Sequence, residues 1–97
     1  MSKQVRGAWC HGNEECMREA LSILRATRSL ASPWFNANNL VSGQARTIDT
    51  CITRLQQHIA NGETTDADMT EALNCVEVAN VFRRAKYLGS SWKLRYK

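Results

Sequence analysis

The sequence predicts an all-α fold, a three-helix bundle with short connections and an extended basic-aromatic tail at its carboxyl end. Apolar residues recur at helical spacing in three separate segments, and cap and turn residues divide these segments. Val, Ile, Thr and the aromatic residues show no alternation that would indicate strands. The expected helices span about residues 13–31, 39–60 and 65–88, and the tail spans residues 89–97.

Length and composition favour a single helical domain, residues 1–97. A chain of 97 residues is near the usual size for one hydrophobic core. Hydrophobic residues make up 43% of the chain and there is one proline, which argues against disorder. A domain of this size leaves little volume for an enclosed substrate cavity, so a binding protein is favoured over most enzymes.

The amino-terminal residues favour a cytoplasmic protein. The first nine residues lack the apolar region of a secretory signal, and no apolar run is long enough to span a membrane. The expectation is therefore a cytoplasmic location without membrane contact. Cysteines in that compartment are expected to be reduced thiols. The four are Cys10, Cys16, Cys51 and Cys75.

Helix 1 is predicted from Asn13, a good N-cap, to about Ala31. Glu14 and Glu15 follow the cap, where the helix dipole favours acidic side chains. Pro33 is expected to end the helix, because the residue before a proline is disfavoured in the α region. The apolar face consists of Cys16, Met17, Ala20, Leu21, Ile23, Leu24 and Leu30.

Three arginines, Arg18, Arg25 and Arg28, share a second face of helix 1. The simplest interpretation of this face is a solvated helix surface. The alternative is a basic contact surface that would suit nucleic acid.

The connector after helix 1 contains Ser32, Pro33, Trp34 and Phe35, with two adjacent aromatic residues beside the proline. Bulky aromatic residues in a short helix connection usually plug the end of the core. An exposed aromatic turn would instead be a docking point, because aromatic residues are enriched at interface hot spots. The Ser32–Pro33 bond is also a place where isomerisation can matter.

Helix 2 shows the clearest periodicity in the chain. Asn38 or Asn39 can cap it, and Asn61–Gly62 would end it with a left-handed residue. The apolar residues between these ends alternate steps of four and three, which is typical of a seam packed inside a bundle. The seam consists of Val41, Ala45, Ile48, Ile52, Leu55 and Ile59.

Helix 3 has the most consistent start and stop signals. Thr65 and Asp68 resemble a capping box, acidic residues fill the first turn, and basic residues fill the last turn before Gly89. Its apolar residues extend beyond one face, so the helix should lie between the other two or cover its spare face with a partner or a second copy. They are Ala72, Leu73, Cys75, Val76, Val78, Ala79, Val81 and Phe82.

Catalytic and metal-binding patterns are weak. Cys10, His11 and Cys16 lie close together, but their spacing differs from the paired ligands of structural zinc sites. The other candidate ligands lie on separate predicted helices: Cys51, His58 and Cys75. No nucleophile has a positioned base and an orienting group, and no glycine-rich phosphate loop occurs. The prediction is a protein without enzyme activity, metal or cofactor.

The tail carries the strongest functional signal. From Arg83 onward the chain has six Lys or Arg and no acidic residue, although its overall charge is only +4. A partner with an acidic surface is therefore expected at this end. In an extended tail, apolar and basic side chains fall on opposite faces. The apolar face holds Trp92, Leu94 and Tyr96, and the basic face holds Lys93, Arg95 and Lys97.

An extended tail of this kind can pair with a sheet edge or lie in a groove of a protein partner. It could equally stack its aromatic rings on single-stranded bases. A third alternative is a tail folded back over the bundle with its cations solvated. The protein partner is preferred, because three bulky apolar groups on one face are unusual for a solvated tail.

The expected function is non-enzymatic inhibition or modulation of a larger host macromolecular machine by protein–protein contact. The contact would use the tail, the Ser32–Phe35 connector and the spare face of helix 3. The alternative is an accessory nucleic-acid binder that uses the tail and the three arginines of helix 1. The sequence leaves open whether the protein is a monomer or a homodimer.

In overall character, a compact, cysteine-containing helical chain without a catalytic motif, the sequence resembles the accessory proteins by which lambdoid phages disarm host defence. Its size and charge are similar to those of the anti-RecBCD type, which binds the host recombination nuclease. The resemblance implies inhibition of a nuclease by protein contact in the host cytoplasm, with a host prolyl isomerase engaging the Ser32–Pro33 bond. It assigns no site residues.

Overall fold

The computed structural model describes the backbone of residues 9–35, 39–87 and 95–96, and the side chains of residues 10–29 and 46–84. Three helices pack against one another, which confirms the predicted all-α three-helix bundle. None of the helices in these ranges combines the length and apolar composition that a membrane span requires. The elements in chain order are β1 (Trp9–Cys10), α1 (Asn13–Phe35), α2 (Asn39–Ala60), α3 (Asp66–Tyr87) and β2 (Arg95–Tyr96).

The core lies where the predicted apolar faces of the helices meet. On α2, Ile48 and Leu55 are fully buried, and Ile52 and Ile59 are half-buried against the core. Burial of each large aliphatic side chain contributes about 1.5–3 kcal/mol, so this packing is the main stabilisation of the bundle. α1 buries Cys16, Met17, Ala20, Leu21, Ile23 and Leu24, and α3 buries Met69, Ala72, Cys75, Val76, Ala79 and Phe82.

α1 continues to Phe35, so the prediction that it ends at about Ala31 is wrong. Pro33 lies inside the last part of the helix and does not terminate it. A proline near the end of a helix removes one backbone donor, and its effect on the preceding residue is a preference that the rest of the helix can override. No cis peptide bond occurs in the described backbone. The predicted Ser32–Phe35 connector is therefore the end of a helix.

The end of α2 folds as its sequence predicts. Gly62 has a φ of 71°, the left-handed conformation that favours glycine. Its amide donates to the carbonyl of Ile59 at 3.2 Å, and the amide of Glu63 donates to the carbonyl of His58 at 2.8 Å. These two hydrogen bonds define a Schellman motif, and they confirm the stop predicted at Asn61–Gly62.

The predicted capping box at the start of α3 is also present. The Asp68 amide donates to Thr65 Oγ1 at 3.3 Å, and the Thr65 amide donates to Asp68 Oδ2 at 3.0 Å. The Thr65 hydroxyl also donates to Asp68 Oδ2, at 2.9 Å. Aspartate thus performs the reciprocal role that Glu or Gln usually has in this motif.

Asn13 begins α1 and also ties this helix to the turn that precedes α3. Its Nδ2 donates to the Thr64 carbonyl at 2.9 Å and to Asp66 Oδ1 at 3.1 Å. The backbone hydrogen bonds of α1 start at Gly12, whose carbonyl accepts from the Cys16 amide at 3.0 Å. Gly12 therefore occupies the N-cap position, so the prediction of Asn13 as the N-cap is wrong, although the predicted helix start at Asn13 is confirmed. The sequence does not reveal the connection of Asn13 to Thr64 and Asp66.

The two ends of the described chain meet in a short parallel pairing. Trp9 of β1 lies opposite Arg95 of β2, and Cys10 lies opposite Tyr96. The tail backbone is therefore extended at these two residues, as predicted. The pairing with β1 is a feature that the sequence does not predict.

Cys10 and Cys16 form a disulfide, so the prediction of four reduced thiols is wrong for this pair. Their Cα atoms are 5.2 Å apart, within the usual range for a disulfide. The chain bends at Gly12 and places β1 beside the first turn of α1, which brings the two cysteines together. Cys51 and Cys75 are free and buried, as expected for structural cysteines.

Candidate interaction surface

α3 leaves part of its apolar surface uncovered. Leu73 is 46% exposed and Val81 is 42% exposed. These positions are about two helical turns apart and therefore share one side of the helix. We call this pair the α3 face. It corresponds to the spare apolar face that the sequence predicts for helix 3.

A groove between α2 and α3 adjoins the α3 face. Its more apolar part has a volume of about 260 Å³, and it continues into a second part of about 330 Å³. The first part is lined by Thr47, Asn74, Glu77, Val78 and Val81. The second part is lined by Thr47, Thr50, Cys51, Arg54, Glu71, Asn74, Cys75 and Val78. We call the two parts together the α2–α3 groove; three of its residues belong to both parts, so the groove is continuous.

The charged residues that line the α2–α3 groove are paired within the protein. Arg54 Nε forms an ion pair with Glu71 Oε1, and both residues line the second part. Glu77 lines the first part, and its Oε1 lies 3.2 Å from Arg84 Nη2. Exposed pairs of this kind contribute little to stability, but they leave the centre of the groove without net charge. A neutral apolar centre with a polar rim is typical of protein–protein interfaces.

The floor of the α2–α3 groove contains the two free cysteines. Burial raises the pKa of the Cys75 thiol, and the hydrogen bond with Cys51 raises it further. A thiol with a raised pKa stays protonated and is a poor nucleophile. Its environment therefore suits structural packing and does not suit covalent catalysis.

His58 forms a polar cluster at the end of α2 that the sequence does not predict. Its Nδ1 lies 3.1 Å from Glu63 Oε1 and 3.6 Å from Asp68 Oδ1, and its Nε2 lies 3.2 Å from Glu71 Oε2. The imidazole thus connects α2 to the start of α3. Among the residues with described side chains, no group of three or more His, Cys, Asp or Glu is arranged to hold a metal ion. The cluster is a connection between helices.

Two of the three arginines predicted as a basic surface on α1 form ion pairs within the protein. Arg18 Nη2 lies 3.1 Å from Glu14 Oε2, and Arg28 Nε lies 2.8 Å from Asp49 Oδ1. Arg25 is exposed and lines a shallow surface depression together with Arg28. The intramolecular carboxylates therefore neutralise much of the positive charge on this face.

Most of the other predicted binding residues lie outside the described side chains. Ser32, Pro33, Trp34 and Phe35 are described only as helix backbone, and Arg95 and Tyr96 only as strand backbone. Trp92, Lys93, Leu94 and Lys97 lie outside the described residues altogether. The role of the tail and of Ser32–Phe35 in binding stays a prediction. Sequence reasoning indicated the α3 face through its surplus of apolar residues, but it missed the groove walls Thr47 and Asn74.

Comparisons of the chain with protein-family models, with curated proteins and with solved structures each found no match.

Proposed function

We propose that this chain is a small non-enzymatic binding protein that inhibits or modulates a larger host macromolecular machine through protein–protein contact. The observation that supports this function best is the α3 face, Leu73 and Val81, exposed beside the α2–α3 groove. Exposed apolar surface next to a groove is characteristic of interaction sites. The occupant we propose is the apolar side of an amphipathic helix of the partner protein.

The walls of the α2–α3 groove support a helix as the occupant. Both walls are α-helices, whose backbone groups are satisfied by their own hydrogen bonds. A partner strand would find no free backbone groups there, so binding has to use side-chain packing. An amphipathic helix that lies in a groove binds in this way, through apolar anchors one and two turns apart.

The neutral centre of the groove also supports a protein partner over nucleic acid. Nucleic-acid affinity depends on cations that neutralise phosphates. Arg54 in the groove and Arg84 on α3 are paired with carboxylates, and on α1 the same is true of Arg18 and Arg28. The nucleic-acid alternative would then rest on Arg25 and the tail, which is weaker support.

The nature of the host machine rests on the sequence resemblance alone. That resemblance suggests a recombination nuclease in the host cytoplasm and a prolyl isomerase at Ser32–Pro33. The tail, residues 89–97, would supply a second contact, with its basic residues directed to an acidic surface.

Capture from host lysate, with and without nuclease treatment, by the full chain and by a Val81→Asp variant tests the proposal. Aspartate at position 81 would place a charge on the α3 face, and we expect captured partners to fall by about tenfold or more. Ala26→Asp is the matched control, because residue 26 is an exposed position on α1 outside the groove. It should capture the same partners as the wild type.

Two results would contradict this function. Equal capture by Val81→Asp and the wild type would remove the α3 face as the contact. Loss of all captured partners on nuclease treatment would favour the nucleic-acid binder.

A further inference from the structure

The amino-terminal disulfide and the tail strand form one connected unit. Cys10 is bonded to Cys16 in the first turn of α1, and both side chains are fully buried. The backbone of Cys10 belongs to β1 and lies opposite Tyr96 of β2. Cys10 therefore connects the helical bundle, through its side chain, to the tail, through its backbone.

The connector between β1 and α1 contributes little to fixing the position of β1, which depends on Cys10, fully buried in the core and bonded to Cys16. It consists of His11, which is exposed, and Gly12. A Cβ added at Gly12 would meet nothing within 4 Å, and glycine has the freest backbone of any residue. A two-residue strand pairing is also marginal by itself. The disulfide is therefore the firmest described attachment of β1 to α1.

We propose that the redox state of the Cys10–Cys16 disulfide controls whether the tail strand β2 stays paired with β1. We call this device the clasp. While the bond is intact, β1 is fixed on α1 and holds β2 by backbone pairing. Reduction lets β1 move and releases β2, whose backbone can then pair with an edge strand of a partner protein. The release depends only on this chain, whereas its use in partner binding rests on the function proposed above.

The reductant in this step is a dithiol. One thiolate of the dithiol attacks a sulfur of the Cys10–Cys16 bond and displaces the other cysteine as a thiolate, which takes up a proton. The second thiol of the reductant then attacks the mixed disulfide and releases the first cysteine. Two electrons and two protons pass from the dithiol to Cys10 and Cys16, and the dithiol becomes a cyclic disulfide.

Reduction of the disulfide and release of β2 affect each other, because coupling between two equilibria is reciprocal. Both sulfurs are fully buried, and exchange requires access of the attacking thiolate to a sulfur. β1 must therefore move away from α1 before the bond is reduced. Pairing with β2 opposes this movement, so the tail strand protects the disulfide that holds it.

Hydrogen exchange of the full-length protein, followed by mass spectrometry before and after treatment with dithiothreitol, measures the release directly. We expect the β2 amide that faces β1, which belongs to either Arg95 or Tyr96, to exchange about tenfold faster in the reduced protein, within the usual range of coupling. Over labelling times that are short compared with global unfolding, amides in the middle of α2 and α3 should stay unexchanged in both redox states. Cys16→Ser should show the fast exchange with or without dithiothreitol. Equal exchange of Arg95 and Tyr96 in the oxidised and reduced wild type would overturn the proposal.

The rate at which dithiothreitol reduces the Cys10–Cys16 bond tests the opposite direction. The variant R95P/Y96P removes the backbone N–H of both β2 residues, including the one that faces β1, and we expect its disulfide to be reduced about tenfold faster than in the wild type. R95A/Y96A is the matched control, since it loses the side chains but keeps the donors, and it should stay close to the wild type. Equal rates for the proline and alanine variants would contradict the clasp.

Both measurements use the isolated protein and need no partner. A failure of the Val81→Asp capture experiment would contradict the proposed function and leave these rates unaffected. Unchanged exchange and reduction rates would contradict the clasp and leave the α3 face in place.

Discussion

Two regions of this protein are stabilised in different ways. One is the end of the bundle where α1 and α3 begin, and the other is the α2–α3 groove. At that end, a disulfide, the Asn13 side chain and the Thr65–Asp68 capping box connect neighbouring segments by directional bonds. In the groove, α2 and α3 are joined by side-chain packing and by the Arg54–Glu71 ion pair, and the two cysteines of its floor form no disulfide. The comparison shows that the covalent bond and the hydrogen bonds to backbone groups lie at that end, whereas the groove depends on contacts between side chains.

The regions differ most in the state of their cysteines. Cys10 and Cys16 form a disulfide at the first region, whereas Cys51 and Cys75 are free thiols in the groove. Burial raises the pKa of the Cys75 thiol, so both access and deprotonation limit its reaction. We expect a thiol reagent at neutral pH to label Cys51 and Cys75 at least about 100-fold more slowly in the folded protein than in urea, because labelling requires unfolding. Mass spectrometry of the labelled peptides measures both rates.

Ala26→Cys is the control for that experiment, because residue 26 is exposed on α1. A cysteine there should react at nearly the same rate in the folded and unfolded protein. Fast labelling of Cys75 in the folded protein would mean that the α2–α3 groove opens to its floor, and the contrast between the two regions would then fail.

The sequence predicts local features of both regions well. The left-handed Gly62, the capping box and the buried faces of α1 and α2 depend on residues a few positions apart, so periodicity and cap chemistry are sufficient to predict them. The sequence predicts the end of α1 too early, because Pro33 imposes only a preference on the residue before it and the helix continues to Phe35.

Features that join distant segments could not be predicted in this way. Asn13 donates to the carbonyl of Thr64, 51 residues later. The Cys10–Cys16 bond joins residues only six positions apart, and it contradicts the sequence prediction for another reason, because cysteines of a cytoplasmic protein are expected to be reduced. The His58 cluster and the β1–β2 pairing, like the Asn13 contacts, join different elements and depend on how these elements pack. In the candidate site, the surplus of apolar residues on α3 indicated an exposed face, but the groove appears only when α2 is packed beside it.

Reduction of the Cys10–Cys16 bond should have the second-largest effect, a loss of stability at the end of the bundle where α1 and α3 begin. A disulfide that closes a loop of this length contributes about 2 kcal/mol, mainly by restricting the unfolded chain. We expect the free energy of unfolding, measured in urea, to fall by about that amount when dithiothreitol is added. In the double variant C10S/C16S the same addition should change nothing. A wild-type protein with equal stability in both redox states would contradict this contribution.

Loss of the capping box should have a smaller effect, about 1 kcal/mol for Thr65→Ala. Thr70→Ala is the matched control, because the Thr70 hydroxyl donates to the Asp66 carbonyl within α3 and caps nothing. Urea denaturation of the two variants should therefore separate the loss of a cap from the loss of a threonine. Equal losses for both variants would show that the cap contributes nothing specific.

The capping box also predicts a pH dependence. Hydrogen bonds from the side chain and then the backbone of Thr65 lower the pKa of Asp68 below its ordinary value of 3.8. The resulting stabilisation is fully present above that ordinary value and is lost as the pH falls through the lower pKa of the folded state. Thr65→Ala should therefore lose less stability than the wild type between pH 4 and pH 2. A steeper loss in the variant would contradict this assignment.

The smallest effect on stability is expected for Val81→Asp, the variant that should have the largest effect on binding. Val81 is 42% exposed, and substitutions at exposed positions usually change the free energy of unfolding by no more than about 0.5 kcal/mol. Val76 lies on the same helix but is 5% exposed, so Val76→Asp would bury an unpaired carboxylate and should unfold the protein. Circular dichroism and urea denaturation of the two variants measure this difference. A large loss of stability in Val81→Asp would mean that Val81 belongs to the core. If Val81→Asp keeps its stability but loses capture, folding does not require an apolar α3 face. The apolar side chains there would then serve binding of a partner.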